Sequence, residues 1–485
     1  MKKLVLTTAA ALLFLSSCIS DLDVTQESKL TSADMWKTEA DATGAMYGLF
    51  HQVRAVFQTA LIYWGDFRAG TFQDGLGAGT ALKMFNNNLD ATESKGTNWA
   101  GSYTAINDAN LIIKHVPSIS FVNESTRNQV MGSAYFVRAL MYFNIARVWG
   151  DAPLLLDGFE SDKDDLQPFR VPVEKIFDQV LADLEMAENY MPASVTDPTI
   201  ANLMAIKMLE ADYWLWMAKV RGGGADAIKN ARKALNNVII NAGVGLMDNY
   251  ADVFDINKKN GKEIIFTIHF GKGEYEGGYS SNWLIPTTRW YGKDEDKEKN
   301  VKLMNNDDQR YNFSTSMISL LKSDPGDTRT AVSFGDWTDP SDGRNYTWVN
   351  KFSGLWEDNV RYFIADEPVY RYAETLLMMA EVELFSGNLQ LALDYVNMVA
   401  KRAYKVNNYY TDTSESAVKN AIIDEYVKEF AAEGKTWWVY IRNGVVFDKV
   451  ETLKGREGEK NILLWPIANA CFNENPNMTQ TEGYN

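Results

Sequence analysis

Apolar residues recur along this chain at steps of three and four, the period of helices that bury one face. Over 125–149, Met131, Tyr135, Ala139, Tyr142, Ala146 and Trp149 form one such stripe, and Val130, Ala134, Val137, Leu140 and Met141 make most of the remaining surface apolar too. A helix apolar on nearly every side belongs between other helices. Gly150 and Pro153 then end it. The same period predicts helices from the capping Ser32 to about Phe57 and over 103–116, 172–191, 213–220, 227–240, 369–385 and 392–403.

Two pairs of these helices are alike. Segments 213–220 and 227–240 flank Gly222-Gly223-Gly224, segments 369–385 and 392–403 flank Gly387-Asn388, and in both a glycine stands five residues before an alanine, Ala227 or Ala392. A glycine turn followed by a small residue is similar to the tetratricopeptide repeat, whose paired helices approach closely at small positions. The expected architecture is mainly α: a tetratricopeptide-like scaffold over 32–242 and 366–485, stacked right-handedly rather than closed into a bundle. Between these parts, 243–365 is rich in Gly, Asp, Asn and Trp and reads as loop, apart from a strand over 263–270. Long irregular segments in a compact protein are usually functional or disordered, and the aromatic content argues against disorder. This makes 243–365 the expected ligand-binding region.

The first residues add an address. Met1-Lys2-Lys3 is a basic head, Leu4–Leu15 an apolar run and Leu15-Ser16-Ser17-Cys18 a lipobox. The run is shorter than the roughly 20 helical residues that cross a bilayer, so 1–17 reads as a lipoprotein signal peptide. Cleavage makes Cys18 the acylated first residue, and several acyl chains hold a protein durably at a membrane where one does not. Segment 18–31 is polar and without helical period; it reads as a lipidated flexible tether whose early acids, Asp21 and Asp23, resemble a surface-export signal.

Net charge is −16 at pH 7 over 485 residues and grows more negative when Lys2 and Lys3 are cleaved away. Such a surface repels phosphate backbones, which argues against nucleic acid as a partner. With Cys18 lipidated, Cys471 has no disulfide partner. No catalytic constellation emerges. His51, His115 and His269 stand far apart without an H-E-x-x-H arrangement, and Gly75-Leu76-Gly77 has Thr80 where a dinucleotide loop keeps its third glycine. Glu425, Glu429 and Glu433 fall at steps of four on one expected helix face and read as solvated or ion-paired rather than as a glycosidase acid pair. Asp339 and Asp342 beside Gly343 miss the EF-hand spacing, so a structural calcium ion there is the weaker reading. The chain reads as non-catalytic, with no cofactor beyond the lipid at Cys18.

Sugar rings stack their C–H faces on flat aromatic side chains and need amide, carboxylate or guanidinium groups at the rim. Trp283, Trp290, Trp337, Trp348 and Trp356 all lie in the irregular region. The first candidates for ligand contact are Trp283, Trp290 and Tyr291 with Asn282 and Arg289, together with Trp337. A second group is Trp64, Asp66 and Arg68 after the first helix, with helix-end packing as the equal alternative. Trp99, ahead of Tyr103, Ile106 and Asn110, reads as structural, and Trp36, Trp149, Trp214 and Trp216 read as helix core.

At 370–381 stands YRYAETLLMMAE, at 138–156 RALMYFNIARVWGDAPLLL, at 263–266 EIIF, at 429–434 EFAAEG followed by Trp437, and from Asn475 NPNMTQTEGY. In this order, and with the lipobox, they resemble the SusD-like (RagB) family of outer-membrane nutrient-uptake lipoproteins over nearly the whole chain. The departures are Tyr426 and Val427 in place of basic residues, Val439-Tyr440 in place of an aromatic and acidic pair, and Thr481-Glu482 in place of Asn-Pro. The resemblance implies a tetratricopeptide-like scaffold, capture of a glycan or other nutrient at the cell surface, and closure like a lid over a SusC-like TonB-dependent barrel in the outer membrane. Its rivals are a tetratricopeptide scaffold that binds peptides and a lipid-anchored glycosidase.

Overall fold

The computed structural model of the chain describes residues 35–76, 81–93, 95–161, 164, 167–278, 284, 309–338, 343–357 and 360–484. Its longer helices are α1 (Glu39–Gly65), α2 (Ala100–His115), α3 (Glu124–Trp149), α4 (Val173–Tyr190), α5 (Leu203–Lys219), α6 (Gly224–Ile239), α7 (Thr315–Leu321), α8 (Tyr372–Phe385), α9 (Leu389–Tyr404), α10 (Glu415–Glu429) and α11 (Thr436–Arg442). The strands are β1 (Phe72–Asp74), β2 (Ile264–Ile268), β3 (Tyr311–Phe313), β4 (Phe334–Thr338), β5 (Asn345–Val349), β6 (Leu355–Glu357), β7 (Val360–Tyr362) and β8 (Glu367–Arg371).

Helix α1 opens on a reciprocal capping box: Thr38 Oγ1 accepts from the Asp41 N–H, and the Asp41 carboxylate accepts from the Thr38 N–H. The expected start at Ser32 lies outside the described residues. Helix α3 is buried from Val130 to Trp149 except for the half-buried Tyr135, and α8 is buried from Ala373 to Leu384. These two helices lie at the centre, apolar on most sides, with the charges they bury, such as Arg138 and Glu381, ion-paired there. Around them α3 packs on α4, α5 on α6 and α8 on α9, while α8 also touches α6 and α10. Gly222 (φ +76°) and Gly387 (φ +78°) reverse the chain in the left-handed region, which costs glycine nothing sterically. The tetratricopeptide-like helical architecture expected from the sequence is the one observed.

Three expectations need correction. Helix α5 begins at Leu203, ten residues before the expected Tyr213, under a cap in which Asn202 Oδ1 accepts from the Ala205 N–H. Its first turns bury residues on several faces, which blurs the stripe that would reveal them. Helix α8 begins at Tyr372 rather than Val369, because the wholly buried strand β8 precedes it and pairs antiparallel with β2. The region expected as loop also holds α7 and the antiparallel pairs β4–β5 and β6–β7, while β3 pairs with β1 of the scaffold half. Strands of three to five residues carry too few alternations to be read as strands.

A buried ion network joins the two regions. Arg371, at the end of β8, meets Glu263, Glu429 and Glu433, and Arg402 on α9 bonds Glu263 and Glu429. Arg329 meets Asp327, Glu425 and Glu429, and Lys351 meets Glu433. Glu263, Glu425, Glu429, Arg329 and Arg371 are fully buried, where an ion costs several kcal/mol unless it is well paired. The three glutamates are therefore an ion-paired set, but not on one helix face. Helix α10 ends at Glu429, and a turn through Ala432 (φ +62°) and Gly434 (φ +71°) returns Glu433 to Arg371 and Lys351. Burial draws the Lys351 ammonium down to about 8, against the pull of Glu433.

The same turn meets the end of α1 backbone to backbone. A Cβ at Gly65 would stand 1.8 Å from the Gly434 carbonyl oxygen, and one at Gly434 would stand 2.3 Å from that of Leu61. Asp66 accepts from the N–H groups of Gly434 and Thr436, which closes the junction.

Candidate functional site

Among the described residues of the irregular region, hairpin β4–β5 gathers three aromatic rings. Its register pairs Trp337 with Tyr346 and Gly335 with Trp348. Side chains two apart on a strand share a face, so the three rings lie on one side of the hairpin. Trp348 covers Gly335, where a Cβ would stand 2.1 Å from the indole, and its Nε1–H donates to Asn350 Oδ1 at 3.1 Å. Trp348 is buried; Trp337 is half-buried and stacks on Tyr346 with centroids 5.9 Å apart and planes at 28°. The guanidinium of the exposed Arg344 stands 5.3 Å from the Tyr346 ring centre.

The hairpin is held to the rest of the protein through β3. Asn312 Nδ2 donates to Thr347 Oγ1 at 2.6 Å, and Gln309 Nε2 donates to the carbonyls of Thr347 and Leu284. Strand β3 in turn pairs with β1, which follows α1. A partly open indole with an exposed guanidinium near its partner ring supplies a stacking face with a polar group at its edge, while Asp336, one position from Trp337 on the strand, faces the other side and pairs with Lys322. This combination suits a sugar ring. Arg344 and Tyr346 were missed in the sequence; the only available signal was the short alternation Asn-Tyr-Thr-Trp-Val at 345–349.

The other sequence candidates fall in two groups. Asn282, Trp283, Arg289, Trp290 and Tyr291 lie outside the described residues, as do Cys18, Asp339 and Asp342. Trp64, Asp66 and Arg68 are described, and their geometry is structural. Trp64 is 3% exposed, donates from Nε1 to the Gly96 carbonyl at 2.9 Å and meets Trp149 edge-on. Burial pushes the Asp66 carboxyl up to about 6 despite its two backbone donors. Arg68, also drawn down by burial to about 10, donates to Asn87 Oδ1 and to the carbonyls of Ile462, Leu463 and Leu464, with Trp437 4.5 Å from its guanidinium. These groups spend their polar atoms inside the fold and leave no face for a ligand. Of the two readings of this stretch, helix-end packing is the one the geometry supports.

Trp99 is buried, as its structural reading requires, and walls a cavity of about 350 Å³ with Tyr103, Phe159 and Met478. The amide groups of Asn107 and Asn110 bordering that cavity are bonded to backbone between 155 and 159. Trp149 and Trp216 are core, whereas Trp214 is half-buried and Trp36 is half-buried and stacked on His115 at 5.0 Å. Among the described residues, no three His, Cys, Asp or Glu side chains converge as a metal site.

Comparison with known proteins agrees with this architecture. One family model, described as starch-binding and associating with the outer membrane, matches residues 76–205, and the SusD family model matches 241–462. SusD-like protein P38 of Formosa agariphila is 25% identical, spanning 97% of this chain and 96% of its own length. The starch-binding protein SusD of Bacteroides thetaiotaomicron is 24% identical over 72% of either chain. A SusD superfamily crystal structure from Bacteroides vulgatus is 27% identical, with a TM-score of 0.80 and coverage of 93% of this chain and 100% of that one. Matches in sequence and in fold run through both scaffold parts and the irregular region between them, and the chain belongs to the SusD-like family.

Proposed function

We propose that this protein is a surface-exposed, non-catalytic lipoprotein that captures oligosaccharide and delivers it to a SusC-like TonB-dependent transporter in the outer membrane. The observation that carries the binding part is the partly open Trp337 stacked on Tyr346 beside Arg344. Relatives named for starch binding and outer-membrane association support the same class of ligand and place. The lipobox at Leu15–Cys18 supports anchoring. A short tether keeps the binder near a membrane channel and raises its effective concentration there without any new contact.

Trp337→Ala is expected to weaken oligosaccharide binding about 10- to 100-fold, the loss typical of a buried aromatic anchor. Isothermal titration calorimetry against a panel of neutral oligosaccharides measures it, with circular dichroism and melting unchanged. Unaltered affinity in the folded variant would move the site to the aromatic stretch 282–291.

Anchoring and delivery are read in one fractionation. Wild-type protein extracted in mild detergent should bring down a TonB-dependent barrel, and Cys18→Ala should be missing from the outer-membrane fraction and lack the acyl mass. A variant that stays in the membrane removes the anchor, and wild type recovered alone, with the barrel present in the extract, removes the transport partner.

A further inference from the structure

A second cleft, of about 330 Å³, lies between α1 and β2, and we propose that it binds an acidic sugar, one whose ring carries a carboxylate. Arg54 is its centre. One terminal nitrogen of Arg54 donates to the His269 carbonyl at 3.2 Å, and the guanidinium lies 4.7 Å over the ring of Tyr275, whose hydroxyl donates to Gln58. The fork is thus held by one bond and a ring. A guanidinium offers five N–H donors, and no carboxylate among the described residues takes any of those of Arg54. Arg68, equally without an acid, spends its donors on carbonyls and an amide, whereas Arg54 lines an open cleft with its Nε–H unbonded and is placed to receive a ligand that brings a carboxylate.

The rest of the cleft complements a sugar. Tyr47, 58% exposed, and the half-buried Phe50 form an apolar wall for a ring face. His51 stands on the same side of α1, edge-on to Tyr275. His269 Nδ1 lies 3.1 Å from Asp366 Oδ1, which also accepts from the Phe270 N–H and from Lys259. This partner assigns the Nδ1 proton and leaves Nε2 toward Glu274, 3.8 Å away. A carboxylate suits the free edge of Arg54 as a charge-assisted pair, and Glu274 is an acceptor for ring hydroxyls. A neutral sugar leaves Arg54 unpaired, and a bare inorganic anion leaves the aromatic wall unused. The chain's net negative charge acts over about a Debye length, roughly 8 Å in physiological salt, whereas these donors act at contact.

This site is separate from the β4–β5 hairpin, and its test is independent of that reading. Isothermal titration calorimetry with D-glucuronate, D-glucose and inorganic sulfate should show glucuronate binding at least about tenfold tighter than either other probe. Arg54→Gln should weaken glucuronate by about 10- to 100-fold, the factor a charge-assisted bond supplies. Tyr47→Ala, which removes a largely exposed side chain and should leave folding intact, should weaken it by a smaller factor, and Trp337→Ala should leave it unchanged. No heat with millimolar glucuronate, equal affinity for glucose or sulfate, or full affinity in folded Arg54→Gln overturns the proposal. Should Arg54→Gln fail to fold, unchanged affinity in Tyr47→Ala overturns it alone. Loss in Trp337→Ala would assign the binding to the hairpin and overturn it as well.

Discussion

Replacing Glu429 by alanine is expected to cost about 3–5 kcal/mol of stability, the usual effect of removing one partner from a buried ion pair. The carboxylate accepts from Arg371 at 2.6 Å, from Arg402 and from Arg329 at 3.2 Å, and the substitution leaves those three buried guanidiniums around an empty place. Urea unfolding at pH 7 should show the loss as an earlier midpoint. Acid should then narrow the gap. Burial alone would raise the Glu429 carboxyl, but Arg402, Arg371 and Arg329 outweigh it and hold the group well below its ordinary 4.5. A carboxyl lowered in the folded state contributes its full stability above the unfolded value and loses it as pH falls through the folded one. Wild type should therefore approach Glu429→Ala as the medium is acidified below about pH 4.5. A gap that stays constant from pH 7 to about pH 2 would show that ionisation of Glu429 contributes nothing.

Gly434→Ala should be more damaging still, with little soluble protein recovered. The residue sits at φ +71°, where a side chain costs about 1–2 kcal/mol, and its Cβ would meet the Leu61 carbonyl oxygen at 2.3 Å. Backbone on both sides cannot swing away as a side chain can, so the junction of α1 with the turn after α10 must open. Gly444 is the control: φ is +65°, yet a Cβ there meets nothing within 4 Å. Gly444→Ala should express normally and lose only the conformational term of about 1 kcal/mol. If both variants express and melt alike, close approach at Gly434 is not what the turn requires.

Those two positions also mark what could be read in the chain and what could not. Helices α1, α3, α4, α6 and α9 were legible because one face of each is richer in apolar residues, or because nearly every face is. The start of α5 and the short strands were not, since burial on several faces or a run of five residues leaves no period to detect. Glu425, Glu429 and Glu433 look like a solvated or ion-paired helix face at steps of four, and of these two readings the ion-paired one holds, in full burial rather than at the surface. That Glu433 returns on a turn was not legible, because the turn depends on a positive φ at Ala432, a residue that seldom adopts one. Trp64, Asp66 and Arg68 resembled a binding set because an indole, an acid and a guanidinium side by side have the same composition whether they face solvent or the core. Their distant partners distinguish the two: Gly96 for Trp64, Gly434 and Thr436 for Asp66, and the carbonyls of 462–464, nearly 400 residues further on, for Arg68. Trp337 was legible as an aromatic outside the helices, whereas its partner Tyr346 was fixed by hairpin register.

The pairing of β2 with β8 has a consequence for how such a protein changes over generations. The chain leaves the helical stack at one strand and re-enters it at the strand hydrogen-bonded beside it, and what lies between is tied back to the frame at a few further points, where β3 pairs with β1 and where Arg329 and Lys351 meet buried glutamates. Lengthening a segment whose ends are already pinned adds little closure entropy, about 0.6 kcal/mol for each doubling. The exposed stretches between those ties are therefore open to insertion and deletion, while the helices see the same strands and the same buried ion pairs. Relatives built on this frame can vary those stretches in length without disturbing the ties that hold them.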